Sequence, residues 1–206
     1  MAIDEKQYLN PLKKNRTEDR LLDRAIIFAV KAHSGSMRKG TKTPYILHPM
    51  EVAAIVAGIT DQEIVIAAAV LHDVLEDTPT TQEQLRAEFG DDVLALVEAE
   101  SENKREDRPA TETWRLRKQE TLDALRSESR FDVKAIALGD KLSNIRAMYR
   151  DHMRIGDDLW GRFNQKDPEA HAWYYRGIAA ATEELQAYPA WQEYSWLVTD
   201  LFGTEV

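Results

Sequence analysis

The stretch AAAVLHDVLEDT, residues 67–78, sets His72, Asp73, Glu76 and Asp77 at the end of a run, DQEIVIAAAV, that is apolar on every side. A helix that is apolar all round belongs to a core, so this one delivers an imidazole and three carboxylates to an interior wall. At about 100° per residue the four side chains span an arc of roughly 140° and line one side of a cavity. Carboxylates so placed repel one another, and each is costly to remove from water. A divalent cation answers both objections, because it takes imidazole nitrogen and carboxylate oxygen together. His72 and Asp73 diverge by one helical step, yet both can reach an ion lying off the helix end. The same string equally fits a helix C-terminal turn left in solvent, and this stretch alone leaves both readings open.

Two further segments bear on the choice. PYILHP holds His48 between Leu47 and Pro49, a second imidazole for the same ion. FDVKAIALGDKLSNIRAMYRD is an apolar helix interrupted by Asp140 and Asn144, four residues apart and on one face. An aspartate there is commonly paired with a neighbour such as Lys141; beside the other two segments it becomes a fourth candidate ligand. The loop SGSMRKGTKTPYILHP carries Arg38, Lys39 and Lys42 just ahead of Tyr45 and His48, and Lys141, Arg146 and Arg150 are further positive charges. SENKREDRPAT, with its mixed charges, reads as a solvated surface loop.

The elements that must position these residues read as helices. Apolar spacing predicts one over 18–34, and Pro49 suits the first turn of a second, PMEVAAIVAGI. Asp61 is the expected cap of the third, which carries the His-Asp motif. TTQEQLRAEFG offers a capping box from Thr80 to Glu83 and a stop at Gly90. Helices are expected over 91–101, 111–127 and 131–150, then a pair with Pro168 in the first turn of one and Pro189 opening the other. Polar loops fall at 34–47, 101–112 and 151–167. Period-2 strands with hairpin signals are absent. The expectation is an all-α, single-domain helical bundle over 18–206, preceded by a polar N-terminal arm at 1–17.

Composition narrows the chemistry. The 206 residues suffice for one domain with a real core, and the absence of cysteine excludes disulfides, thiolate zinc sites and a Cys nucleophile. Any metal must therefore be held by His, Asp and Glu. A formal net charge of -9 argues against broad nucleic-acid binding, and would repel an anionic substrate unless basic groups or a cation reverse the field locally. No stretch is apolar for the length of a membrane span, and MAIDEKQYLNPLKKNRTED has no signal-peptide core, so a cytoplasmic protein is expected.

The order His48 … His72-Asp73 … Asp140 matches the signature of the HD superfamily of metal-dependent phosphohydrolases. RKGTKTPYILHPMEVA, AAAVLHDVLEDT with TTQEQLRAEFG, and ALGDKLSNIR together resemble the hydrolase domain of RelA/SpoT proteins, and above all the stand-alone small alarmone hydrolases. The resemblance spans about residues 20–150. It implies an HD-type bundle that removes pyrophosphate from the 3′ position of (p)ppGpp with one Mn²⁺. Carried over by position, His48, His72, Asp73 and Asp140 hold the ion, and Glu76 and Asp77 form the catalytic pair. Arg38 and Lys39 lie beside base and phosphates, Asn144 contacts the nucleoside, and Tyr174 lies near the base. Two positions depart from the family pattern: the usual Ala before the last metal Asp is Gly139, and a frequent aromatic or His three residues after it is Ser143. The aromatic C-terminal segment from Trp173 onward is assigned to core or to a homodimer surface. Alternatives are hydrolysis of another nucleotide, such as the 2′-phosphate of NADPH or a nucleoside monophosphate, and a non-catalytic nucleotide sensor.

Overall fold

The computed structural model describes residues 20–105 and 107–203; the expected N-terminal arm at 1–17 lies outside them. Helices α1 (Leu21–Ala32), α2 (Leu47–Val56), α3 (Glu63–Leu71), α4 (Val74–Asp77), α5 (Gln82–Phe89) and α6 (Asp91–Glu100) form the first half. Helices α7 (Ala110–Ser127), α8 (Phe131–Ile155), α9 (Pro168–Ala181) and α10 (Pro189–Phe202) form the second, with 3₁₀ turns at Gly156–Arg162 and Glu183–Leu185. Among the described residues no strand occurs, only one antiparallel bridge between Met37 and Pro44.

The apolar run read from sequence is the centre of the first half. In α3, Val65 and the five residues from Ala67 to Leu71 are buried, and α1, α2 and α6 pack around it. Its three successive alanines let these neighbours approach closely. A second core joins α7, α8, α9 and α10 around Leu122, Leu138, Ile145, Ile178 and Tyr194. Helices α2 and α8 serve both cores: Val52 and Ile136 face one, Ile55 and Leu142 the other. Their line of contact is the seam of the molecule. At Gly139, α8 presses so near α2 that an added Cβ would lie 2.9 Å from Val56 Cγ2 and 3.3 Å from Val52 Cγ1.

Gly177 on α9 plays the same part against α7, where a Cβ would lie 2.7 Å from Leu122 Cδ1 and 2.9 Å from its Cδ2. Leu122 is fully buried and has nowhere to retreat. Gly177→Ala is therefore expected to lower stability by ~1–3 kcal/mol, the usual cost of overpacking, despite alanine's better helix propensity. A urea unfolding midpoint at or above that of the unaltered chain would contradict this.

Several boundaries differ from the sequence expectation. The capping box is Thr81 with Gln84, one residue later than Thr80 with Glu83: Thr81 Oγ1 accepts from Gln84 N at 3.3 Å, and Gln84 Oε1 accepts from Thr81 N at 2.9 Å. Thr80 is drawn back instead, its N–H donating to Thr78 Oγ1 at 3.2 Å. Asp61 stands one residue too early to cap α3, which follows Gln62 and has no side-chain cap. The first helix begins at Leu21, and the second at Leu47 rather than Pro49. The expected loop 151–167 is largely helical, since α8 runs to Ile155 and the 3₁₀ turn follows, burying Leu159 and Trp160. Its polar residues cover the outer side of an amphipathic segment rather than marking a break.

Candidate active site

The expected single helix through the His-Asp motif is two. Helix α3 ends at Leu71, His72 follows with φ -53° and ψ -36°, and Asp73 takes φ -95° and ψ -2° before α4 begins. That sparsely populated backbone region recurs at active-site residues. Here the interruption lets adjacent side chains converge, so that His72 Nε2 and Asp73 Oδ2 are 3.0 Å apart.

Helix α2 brings His48 from its first turn and α8 brings Asp140 from its middle, across the close contact that Gly139 permits. His48 Nε2 lies 3.1 Å from Asp140 Oδ1 and 3.5 Å from Asp73 Oδ2; His72 Nε2 lies 3.8 Å from Asp140 Oδ1. His48, His72 and Asp140 are buried, with ligand atoms all within 4.8 Å of one another, a group able to hold a metal ion.

Hydrogen bonds behind the rings set which nitrogen faces this centre. His72 Nδ1 donates to Ala69 O at 2.8 Å, so Nε2 is the nitrogen that faces the carboxylates. That Nε2 is buried and has no hydrogen-bond partner. His48 Nδ1 meets Ser143 Oγ at 2.8 Å, and Ser143 Oγ donates to Glu51 Oε2 at 2.8 Å. Burial lowers the His48 pKa, against the pull of Asp140. Burial also opposes charge on His72, but the adjoining Asp73 carboxylate, with Asp140, wins and raises its pKa to about 9. Although burial alone would raise them, Asp73 is held low by His72, and Asp140 by Lys141 and the imidazoles. Such a group demands a positive charge at its centre. Two imidazoles with two carboxylates, and an orphaned Nε2, fit a divalent cation of the borderline transition series.

Asp140 is held from two further sides: Lys141 contacts its Oδ2, and Asn144 Nδ2 donates to Oδ1 at 2.6 Å. Asn144 Oδ1 in turn accepts from Arg38 Nη2 at 2.7 Å, with the guanidinium 5.7 Å from the Tyr45 ring centroid. The bridge from Met37 to Pro44 pinches the basic loop and aims Arg38 inward. It does not aim Lys39 there. Lys39 Nζ donates to Asn164 Oδ1 at 3.2 Å and lines a neighbouring cleft of about 1110 Å³, together with Lys42 and Arg150. Arg146 pairs with Glu51 and Glu193.

Glu76 and Asp77 stand one turn beyond, in a cavity of about 380 Å³ that also contains the His-Asp cluster, Arg38, Asn144 and Tyr174. Tyr174 is buried in its wall, its ring 5.0 Å from Lys118 Nζ and its hydroxyl without a hydrogen-bond partner. Burial and the Asp73 charge raise the Glu76 pKa above the ordinary carboxylate value.

Sequence reasoning gave several residues here no role in the site. Tyr45 Oη is 2.6 Å from Asp73 Oδ2 and 2.8 Å from Asp77 Oδ2, so one phenol spans the cluster and the acidic pair. Burial and both carboxylates raise its pKa and keep it protonated. The segment read as a solvated loop closes over the site: Lys104 Nζ donates to Asp77 Oδ1 at 2.6 Å and to Glu76 O at 2.8 Å. Glu102 binds Lys118 at 3.1 Å and also Arg117. Glu100 lines the cavity too, and burial, only partly offset by Lys141, raises its carboxyl to about 7. A mixed-charge segment and an active-site cover have the same composition, which hid them.

Known proteins resemble this arrangement. The chain is 39% identical over 134 residues to the guanosine-3′,5′-bis(diphosphate) 3′-pyrophosphohydrolase MESH1 of Xenopus tropicalis, covering 63% of this chain and 70% of that protein. It is 35% identical over 138 residues to the GTP pyrophosphokinase rsh of Brucella ovis, covering 66% of this chain but only 18% of that much longer relative. Its fold matches a metazoan ortholog of SpoT that hydrolyzes ppGpp, with a TM-score of 0.73 at 22% identity over 90% of this chain and 98% of the other. No helix among the described residues is long and apolar enough to cross a membrane. With the HD domain profile matching residues 25–163, which hold every residue of the His-Asp cluster and its acidic pair, the chain belongs to the HD domain family.

Proposed function

We propose that the chain is a guanosine-3′,5′-bis(diphosphate) 3′-pyrophosphohydrolase, with Mn²⁺ held by His48, His72, Asp73 and Asp140. The observation that carries this is the convergence of two imidazoles and two carboxylates at 3.0–3.8 Å, with Glu76 and Asp77 one turn away in a cavity lined by Arg38, Lys118 and Lys141, and with Lys104 bound to Asp77. The similarity to MESH1 supports the same substrate. Bound there, the cation supplies acidification of water and polarisation of a phosphoryl oxygen.

The chain's own groups do the rest. Glu76, its pKa raised by burial and the Asp73 charge, takes the proton of the attacking water. Asp77, fixed between Lys104 and Tyr45, aligns the reacting groups. The water oxygen bonds to the phosphorus on the 3′ oxygen, the bond from that phosphorus to the 3′ oxygen breaks, and the freed 3′ oxygen takes the proton that Glu76 received, becoming the 3′ hydroxyl. Lys104, Lys118 and Lys141 offset the charge of the departing pyrophosphate. Arg38 lies where its guanidinium plane can meet the purine while Asn144 holds its edge.

The test is purified protein with Mn²⁺ offered ppGpp, pppGpp, NADPH and nucleoside monophosphates. Stoichiometric release of pyrophosphate from the first two is expected; preference for NADPH, or binding without turnover, overturns the assignment. Arg38→Lys is expected to raise KM for ppGpp by about tenfold or more, since a hydrogen bond to a charged group contributes ~1.5–3 kcal/mol and lysine lacks the planar fork. Mn²⁺ affinity should be unchanged, and hydrolysis of a simple phosphoester without a base should fall much less. Equal, small effects on both substrates would remove Arg38 from base recognition.

A further inference from the structure

We infer that Ser143 and Glu51 form a positioning relay that fixes His48 as a metal ligand and ties it to the C-terminal helix. The relay rests on the metal reading above but concerns residues outside the ligand set.

The proton directions follow from chemistry. A carboxylate can only accept, so Ser143 gives its one hydroxyl proton to Glu51 Oε2, at 2.8 Å. The serine oxygen is then left with lone pairs, and His48 Nδ1, also at 2.8 Å, must bring the hydrogen. That choice of tautomer turns the Nε2 lone pair toward Asp73 and Asp140. Ser143 is 1% exposed and His48 4%, so water does not compete for the bond between them.

Glu51 is held in place from the far side. Arg146 Nη1 donates to Glu51 Oε1 at 3.2 Å, and the same guanidinium binds both oxygens of Glu193 on α10, through Nε at 2.7 Å and Nη2 at 2.5 Å. The chain of contacts thus runs from the first turn of α2 through α8 to α10. Remote partners of a ligating histidine set its orientation and basicity, and losing one typically weakens metal binding by about 10–100-fold. Ser143 therefore has a use of its own in this chain, where the family pattern has a larger side chain.

The experiment measures Mn²⁺ binding by electron paramagnetic resonance, with substrate absent, in the full chain and in Ser143→Ala and Glu51→Gln. Both variants are expected to keep the melting temperature near that of the unaltered chain and to raise the Mn²⁺ Kd by about 10–100-fold. Side-chain ¹⁵N spectra of metal-free protein at alkaline pH should show His48 protonated on Nδ1, and Ser143→Ala should shift that proton toward Nε2. A purely structural role would leave the tautomer alone. If both variants bind Mn²⁺ as tightly as the unaltered chain, or lose it only in proportion to a fall in melting temperature, the relay is wrong. If the unaltered chain itself binds no Mn²⁺, the metal reading fails, a result visible before any substitution is made.

Discussion

Asp140→Asn is expected to yield a folded protein that has lost both its metal and its turnover. The substitution preserves shape and one oxygen but removes the charge that sits 3.1 Å from His48 Nε2 and 3.8 Å from His72 Nε2. It also strips Lys141 of its carboxylate, leaving a largely buried ammonium with Glu100 and Glu102 as remaining acidic neighbours. Breaking a buried pair in this way costs about 3–5 kcal/mol when the leftover charge is fully enclosed. Lys141 lines an open cavity, so water relieves part of that cost and the fold should survive with a lowered melting temperature. Metal affinity should fall by more than the ~10–100-fold seen when only an outer partner is lost. Metal analysis after dialysis checks this: an unchanged Mn²⁺ stoichiometry would exclude Asp140 as a ligand.

The second large effect separates proton handling from metal holding. Glu76→Gln and Asp77→Asn should each lower kcat by ~10²–10⁴-fold while the metal stays bound, the range typical for removal of a positioned acid or base. Glu76 is the sharper case because burial and Asp73 raise its pKa above the ordinary carboxylate value. As a base it works only when ionised, so kcat should climb with pH through that raised pKa, and Glu76→Gln should flatten this acidic limb. Metal lost from either variant would move that residue into the ligand set.

The helical class was legible because α3 is apolar on all sides and the flanking helices repeat their apolar residues every three to four positions. The candidate metal-binding group was legible because its residues are rare in such surroundings: a histidine, aspartate or asparagine inside an apolar run needs a reason. What could not be read was anything decided by the path of the loops. Arg38 and Lys39 are adjacent in sequence, but the pinch between Met37 and Pro44 turns one into the cavity and the other away. Lys104 and Glu102 look like solvated surface until the chain is folded over Glu76 and Asp77. Tyr45 was in view, yet its bridging role depends on the helix break between His72 and Asp73, which no residue type announces.

The tight contact at Gly139 has an implication for how this sequence can drift. An alanine at 139 does not fit the packing found here, because Val56 Cγ2 occupies the place its methyl would need, at 2.9 Å. Valine is stiff at its first torsion and cannot swing aside cheaply. A side chain at position 139 is therefore tolerated only if position 56 changes before it or with it, so the choice of residue beside Asp140 depends on a side chain from another helix.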